Sequence, residues 1–236
     1  MNMKRVSVVN ALLTSAMVCG MAACASAEVV AYWPFGISGL ADASGNGHSL
    51  VKSDAGVILT NGMVRLDGNQ TKFSTALPLD LSAYTNLTVE FWMRTTATTN
   101  TGLILEHTEI FNYYAGAFMI DHAEGGVAGK VTGGFVTGSG YNLDETPAGV
   151  ANNDQWHHVA VVYDATKTSD ARSVLYFDGV AQSTWTNFNN SGATAFRNAY
   201  LYIGSRANNA YKFVGDVDDI RISNTALTTN EFLLTR

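Results

Sequence analysis

Residues 87–94 read Leu-Thr-Val-Glu-Phe-Trp-Met-Arg, so that Leu87, Val89, Phe91 and Met93 occupy alternate positions. Successive side chains of a β-strand point to opposite faces, and this alternation therefore predicts a strand that buries one face. Such a strand needs a second layer to cover its apolar face.

Further strand signals continue along the chain. Residues 156–163 form a nearly continuous apolar run, which is typical of a strand inside a sandwich. Asn61-Gly62 and Asp178-Gly179 each stand between apolar runs and favour tight hairpin turns. About a dozen short strands with glycine-containing turns between them predict an all-β fold, a two-sheet antiparallel β-sandwich.

The C-terminal end contains a sequence pattern that is typical of a helix start. Thr228 and Glu231 form a capping-box pattern ahead of the apolar residues 232–234, which predicts a short C-terminal helix. Residues 28–236 show no break in composition, no proline-rich linker and no repeat of fixed period, so we expect them to form one domain.

Residues 1–27 have the layout of a secretory signal peptide. Lys4 and Arg5 precede an uncharged stretch of 22 residues that ends in the small-residue triplet 25–27. Two alternatives stay open: a stretch of this length could remain as a membrane anchor, and Cys24 lies in a sequence that resembles a lipoprotein cleavage box. We expect cleavage after residue 27, which makes the mature chain secreted, either extracellular or periplasmic.

Removal of this segment changes the charge and cysteine content. The loss of its two basic residues leaves 12 Lys and Arg against 20 Asp and Glu, a formal net charge of −8. We therefore expect neither nucleic acid as a partner nor membrane insertion after cleavage. Cys19 and Cys24 both lie in the removed segment, so the mature chain has no disulfide and no cysteine-based metal site or nucleophile.

Six segments follow one another along the mature chain: residues 32–35 with 42–47, 87–93, 155–160, 175–179, 201–204, and 215–222 with Asn224, 226–227 and Glu231. They include Tyr-Trp-Pro-Phe at 32–35, Gln-Trp-His-His at 155–158 and Gly-Asp-Val-Asp-Asp-Ile-Arg-Ile at 215–222. In this order they resemble the laminin G-like jelly-roll domains of the concanavalin A-like lectin and glucanase superfamily. The resemblance spans almost the whole mature chain.

The resemblance implies a jelly roll of two packed antiparallel sheets over residues 28–236. It also implies a role that is usually non-catalytic, in binding glycans or protein surfaces. It names no ligand, because fold alone does not fix function.

The resemblance further implies a structural Ca²⁺ near the first loop and the last strand. Asp42 and Asn46 lie in a polar loop that can supply oxygen ligands, and alternation along 218–222 turns Asp218 toward the core. One interpretation is that Asp42 and Asp218 share a Ca²⁺, with main-chain carbonyls around Asn46 helping. The other is that Asp42 makes an Asx-turn and Asp218 meets an arginine or backbone amides.

Catalytic patterns are weak in this sequence. His157 and His158 are adjacent on a predicted strand, so their side chains leave on opposite faces and cannot share one ion; we expect His158 to be structural. Superfamily enzymes carry a Glu-x-Asp-x-x-Glu pattern, whereas Glu106-x-x-Glu109 and Asp121-x-x-Glu124 lack the middle acid. The sequence therefore favours a protein that is not an enzyme.

Aromatic and amide side chains in loops are the candidates for ligand binding, because neutral sugars stack on aromatic faces and bond to amides. The six residues selected on this basis are Tyr113, Tyr114, Tyr141, Asn142, Trp185 and Tyr211. The glycine-rich stretch 133–149 is expected to be a long loop and the most favourable region. The alternative for each aromatic is that it fills space between strands.

Three functions remain open at this stage. The first is a secreted, non-catalytic module that binds carbohydrate, with a possible structural calcium. The second is a cell-surface or extracellular-matrix module that binds proteins. The third is a glycan-active hydrolase or lyase, which would require two carboxylates facing each other in a groove.

Overall fold

The computed structural model describes residues 27–52, 58–69, 72–98, 101–109, 116–137, 140–188 and 195–236. The predicted signal peptide lies outside these ranges except for its last residue. In the described part of the chain, no helix has the length and apolar character needed to cross a bilayer.

The described residues form seventeen strands joined by short connections. In chain order they are β1 (Val29–Trp33), β2 (Leu50–Lys52), β3 (Ile58–Thr60), β4 (Met63–Asp67), β5 (Phe73–Thr75), β6 (Leu79–Asp80), β7 (Leu87–Arg94), β8 (Gly102–Thr108), β9 (Phe118–His122), β10 (Val131–Thr137), β11 (Gly140–Glu145), β12 (His157–Tyr163), β13 (Ser173–Phe177), β14 (Val180–Ala181), β15 (Ser183–Phe188), β16 (Asn198–Ile203) and β17 (Val214–Ser223).

Two antiparallel sheets make up the sandwich, and the predicted fold class is confirmed. The first sheet has the order β14-β13-β12-β7-β17-β4-β3, with β1 paired to β17. The second has the order β15-β11-β10-β9-β8-β16-β5-β2, with β6 paired to β16. Non-consecutive neighbours such as β7 and β17 show that the chain crosses repeatedly between sheets, as in a jelly roll.

The core lies between the two sheets, and β7 supplies its centre. Leu87, Val89, Phe91 and Met93 are all fully buried in the main apolar cluster, as their alternation predicted. β7 pairs with β12 on one side and with β17 on the other. Its backbone is thus paired along both edges, and the second sheet covers its apolar face.

The opposite face of β7 is also covered, which its sequence does not indicate. Glu90 is fully buried there, and its carboxylate accepts hydrogen bonds from Arg221 Nε (2.7 Å) and the backbone N–H of Leu233 (2.8 Å). The ring nitrogen Nε2 of His158 lies 2.9 Å from the same carboxylate. The C-terminal segment therefore lies over the outer face of the first sheet, and His158 has the structural role expected of it.

The C-terminal helix is shorter than the sequence predicted. It is a single 3-10 turn, Thr229–Glu231, and its capping box is confirmed, because Glu231 accepts the backbone N–H of Thr228 at 2.8 Å. The chain becomes extended at Phe232, whose ring packs 5.6 Å from that of His158. Burying this ring against the sheet competes with continuing the helix.

Both predicted hairpin turns are confirmed. Asn61 and Gly62 have φ of 50° and 77°, and Asp178 and Gly179 have φ of 49° and 76°, the left-handed pair that a two-residue turn requires. The second hairpin is short, because β14 contains only two residues. The chain then passes to the other sheet, where β15 pairs with β11.

The expected long loop at 133–149 is wrong. β10 and β11 form a hairpin across most of this stretch. Gly134 sits where a side chain would collide with the carbonyl oxygen of Asn142, and a Cβ at Gly133 would lie 2.9 Å from Val161 Cγ2. These glycines permit close packing of strands rather than a flexible connection.

We expect Glu90→Gln to reduce the free energy of unfolding by about 3–5 kcal/mol, because it leaves Arg221 without its carboxylate inside the packed C-terminal region. Urea unfolding measures this loss. The matched control is Glu109→Gln, which removes an exposed partner of Arg197 and should cost no more than about 1 kcal/mol. Equal effects of the two substitutions would contradict the structural role of Glu90.

Candidate functional site

The loop between β16 and β17 folds over the outer face of the second sheet. Its anchor is Glu106 of β8, which accepts the backbone N–H of Ala207 (3.3 Å) and forms an ion pair with Arg206 (3.2 Å). The N–H of Leu103 donates to the carbonyl of Tyr211 (2.7 Å), which fixes the far end of the loop. Two residues of β8 thus hold the loop at both of its ends.

Burial dominates the electrostatics of this anchor. It raises the pKa of Glu106 above its ordinary value, and the charge of Arg206 opposes that rise. The guanidinium of Arg206 also lies 4.8 Å from the centroid of the Tyr211 ring, a cation–π distance. Arg206 thereby supports one face of the tyrosine ring, while 49% of the residue stays exposed.

Tyr211 lies where two surface depressions meet. One is a recess of about 40 Å³ lined by Thr101, Asp121, Glu124, Arg206 and Tyr211. The other is an open depression of about 520 Å³ whose lining residues are Asp67, Gly68, Thr101, Asn209, Tyr211, Lys212 and Val214. We call the two together the Tyr211 groove.

The Tyr211 groove continues into a third depression of about 460 Å³, since Asp67 and Val214 line both. Its wall is an ion-pair network in which Asp216 binds Arg65 Nε (2.8 Å) and Arg94 Nη2 (2.6 Å). Burial raises the pKa of Asp216, but the hydrogen bonds from the two arginines outweigh it and hold the pKa below its ordinary value. The resulting surface is open and is lined by both charged and apolar groups.

Asp121 is the unusual member of the recess. It is only 5% exposed, yet its carboxyl makes no hydrogen bond or ion pair within the part of the chain that the structure describes. Burial raises its pKa well above the ordinary value, the nearby Glu124 raises it further, and Arg206 opposes the change. A buried carboxyl without a partner is costly for folding and therefore marks a candidate binding site.

Sequence reasoning did not select Asp121 or Glu124 as ligand-binding residues. Their i, i+3 spacing is visible in the sequence, but there it matches only an incomplete catalytic pattern. In the structure Asp121 is the second-last residue of β9 and lies opposite Leu103 and Thr132 on neighbouring strands, on the outer face. Glu124 follows in the 3-10 turn Glu124–Gly126, which brings both carboxyls to one recess.

The six predicted ligand residues are distributed unevenly. Tyr113 and Tyr114 lie outside the described residues, and Trp185 belongs to β15, with its side chain outside the description. Tyr141 of β11 is half-buried and packs against a small apolar cluster. Asn142 is 1% exposed and lies opposite the core residue Phe135, so this placement keeps it from solvent. Tyr211 alone among the six is described with an exposed side chain.

The carboxylate of Asp42 accepts hydrogen bonds from the backbone of its own loop and of β1. Oδ1 accepts the N–H groups of Tyr32 (3.0 Å) and Ser44 (2.9 Å), and Oδ2 accepts that of His48 (3.0 Å). Burial raises the pKa of Asp42, but these hydrogen bonds lower it below the ordinary value. The side-chain amide of Asn46 donates to the carbonyl oxygens of residues 29 and 30.

Asp218 does not face the core, so that expectation is wrong. Val217, Ile220 and Ile222 are core residues, and an irregularity between Asp218 and Arg221, with φ of 48° at Asp219, shifts the alternation. Asp218 instead accepts hydrogen bonds from Arg236, at 3.0 Å from Nε and 2.8 Å from Nη2.

These contacts correspond to the second interpretation of the loop and do not fit a calcium ion shared by Asp42 and Asp218. Within the described ranges, no group of three or more His, Cys, Asp or Glu side chains is arranged to hold a metal ion. Whether the protein binds calcium stays a prediction.

Comparison with known proteins gives one family match. The family model described as the concanavalin A-like lectin/glucanases superfamily, of the Laminin_G_3 type, matches residues 67–232. A search among curated proteins found no significant match.

Solved structures share the fold at low sequence identity. Domain 4 of an extracellular arabinanase from Geobacillus stearothermophilus, in complex with arabinotriose, has a TM-score of 0.63 and 20% identity, and the alignment covers 87% of this chain and 96% of that one. The botulinum neurotoxin D/C binding domain in complex with rat synaptotagmin II has a TM-score of 0.64 and 12% identity, over 86% of this chain and 50% of that one. The receptor-binding domain of botulinum neurotoxin D has a TM-score of 0.65 and 13% identity, over 86% of this chain and 51% of that one.

A chelator titration separates the two interpretations of the Asp42 loop. Because Asp42 and Asp218 are already satisfied by N–H groups, we expect EDTA to leave the melting temperature unchanged. Asp42→Asn should lower it to the same extent with and without added Ca²⁺. A chelator-induced drop that Asp42→Asn abolishes would establish the calcium site instead.

The pKa of Asp121 gives a pH-dependent stability difference. Because the native pKa is raised, the native state retains a proton that the unfolded chain loses above about pH 4. This stabilising contribution is complete below that pH and disappears as the pH rises through the native pKa. Urea unfolding between about pH 4 and pH 8 should therefore show wild type losing stability relative to Asp121→Asn. A constant difference would contradict the shift.

Proposed function

Because the chain belongs to the concanavalin A-like lectin/glucanases superfamily, we propose that it is an exported, non-catalytic module that binds a carbohydrate chain in the Tyr211 groove. The observation that carries the proposal is the exposed ring of Tyr211, held in place by Arg206 at the junction of two depressions. Predicted export, an acidic surface and a mature chain without cysteine are in keeping with an extracellular ligand.

The chemistry of the groove suits a sugar chain. An aromatic ring stacks on the C–H face of a pyranose or furanose, and flanking polar groups bond to its hydroxyls. Asn209, Lys212 and Asp67 offer such groups beside Tyr211. The groove is open and continues past Asp67 and Val214, so it suits several linked sugars better than one enclosed monosaccharide.

A structural neighbour supports the choice of ligand. The arabinanase domain with this fold was solved with arabinotriose, and almost all of it aligns with this chain. The neurotoxin binding domain, half of which aligns with this chain, was solved with a protein, synaptotagmin. For this chain we favour the sugar, because charged and amide side chains line the groove beside an exposed aromatic ring.

Binding is favoured over hydrolysis by the size of the recess. A glycosidase needs its two carboxyls on opposite sides of a scissile bond. Asp121 and Glu124 line the same recess of about 40 Å³, which is far smaller than the adjoining depression of about 520 Å³. This space admits a small substituent and not a glycosidic linkage.

A glycan array probed with the purified protein tests the proposal, with calorimetric titration of arabinotriose as the soluble probe. We expect Tyr211→Ala to weaken binding of an array hit by at least about tenfold, since stacking on an aromatic side chain contributes on the order of 1–3 kcal/mol. Leu77→Ala is the control, because Leu77 is 74% exposed and does not line the groove.

Two results would overturn the proposal. A blank array together with no binding of arabinotriose would indicate that the protein recognises another protein instead of a sugar. Binding that Tyr211→Ala leaves unchanged would place the sugar elsewhere on the molecule.

A further inference from the structure

We propose that the recess formed by Asp121 and Glu124 binds the protonated amino group of a sugar stacked on Tyr211, which makes the groove selective for amino sugars. This inference rests on the proposed function and names the class of sugar. It goes beyond a general carbohydrate site because it assigns one substituent of the ligand to one pair of side chains.

The first argument is the unmet hydrogen-bonding capacity of Asp121. Asp121 is 5% exposed and lines the recess. In the described ranges its carboxyl makes no hydrogen bond. Glu106 shows the contrast on the same face of the sheet, since it accepts the N–H of Ala207 and forms an ion pair with Arg206. A ligand group that donates hydrogen bonds would supply what Asp121 lacks.

The second argument is charge. Asp121 and Glu124 line the recess with Arg206, and Arg206 is already paired with Glu106. Burial favours the protonated form of Asp121, and an ammonium beside the two recess carboxyls would favour its ionised form. An ammonium brings three N–H donors and a positive charge, whereas a hydroxyl brings one donor and no charge. The local field therefore favours an amine over a hydroxyl and disfavours the carboxylate of a uronic acid.

The third argument is size. The recess of about 40 Å³ is far smaller than the adjoining depression of about 520 Å³, so it suits a small substituent better than a sugar ring. A free amino group is smaller than an N-acetyl group and fits this space more readily. A calcium ion would need six to eight oxygen ligands, which two carboxyls and one threonine hydroxyl do not provide.

Calorimetric titration of two probes tests the proposal. The glucosamine trimer and the N-acetylglucosamine trimer are titrated into the purified protein at about pH 6, where a primary amine is protonated. We expect the glucosamine trimer to bind at least about tenfold more tightly. Asp121→Asn should remove this preference, while Tyr211→Ala should weaken the binding of both trimers.

Controls keep the test independent of folding. Glu109→Gln removes an exposed carboxylate outside the recess and should leave the preference intact. If Asp121→Asn fails to melt cooperatively, Glu124→Gln replaces it and should reduce the preference in the same direction. Melting curves of every variant accompany the titrations.

The contrary outcomes are distinct. Equal affinities for the two trimers, or neutral array hits without glucosamine binding, would overturn the amine recess and leave the sugar-binding groove standing. A blank array with no trimer bound would overturn both. A rise in melting temperature with Ca²⁺ alone that Asp121→Asn abolishes would assign the recess to a metal ion instead.

Discussion

The buried carboxylate of Glu90 is the interaction on which the outer face of the first sheet depends. A charge without water is costly unless it is paired and hydrogen-bonded. Its partners come from separate parts of the chain: His158 from β12, Arg221 from β17 and the backbone of Leu233 from the C-terminal segment. Satisfying one carboxylate therefore fixes two neighbouring strands and the end of the chain together.

The second sheet uses the same device for a different purpose. Glu106 also lies on the outer face of a central strand, and it holds the loop that carries Tyr211 through Arg206 and Ala207. Because the loop is tied to a buried charge, its exposed tyrosine stands on a rigid support, which lowers the entropy cost of ligand binding. Glu90 thus holds the C-terminal segment against the first sheet, and Glu106 positions the groove.

Asp121 departs from this arrangement in an informative way. It lies on the same outer face as Glu106, but the described part of the chain offers it no hydrogen-bonding partner. Proteins retain unfavourable buried groups of this kind mainly where function requires them. The groove therefore combines a well-supported platform, Tyr211, with an unsatisfied acid beside it.

The sequence by itself determined the fold class, the two hairpin turns and the capping box, because strand alternation, Asn-Gly or Asp-Gly pairs and capping are local properties. Tyr211 was also selected in advance, as an aromatic residue next to asparagines. The tertiary structure alone decided that Glu90 is covered, that Asp218 turns away from the core and that Asp121 shares a recess with Tyr211. The register of neighbouring strands and the fold of a distant loop create these contacts, and no local pattern encodes them.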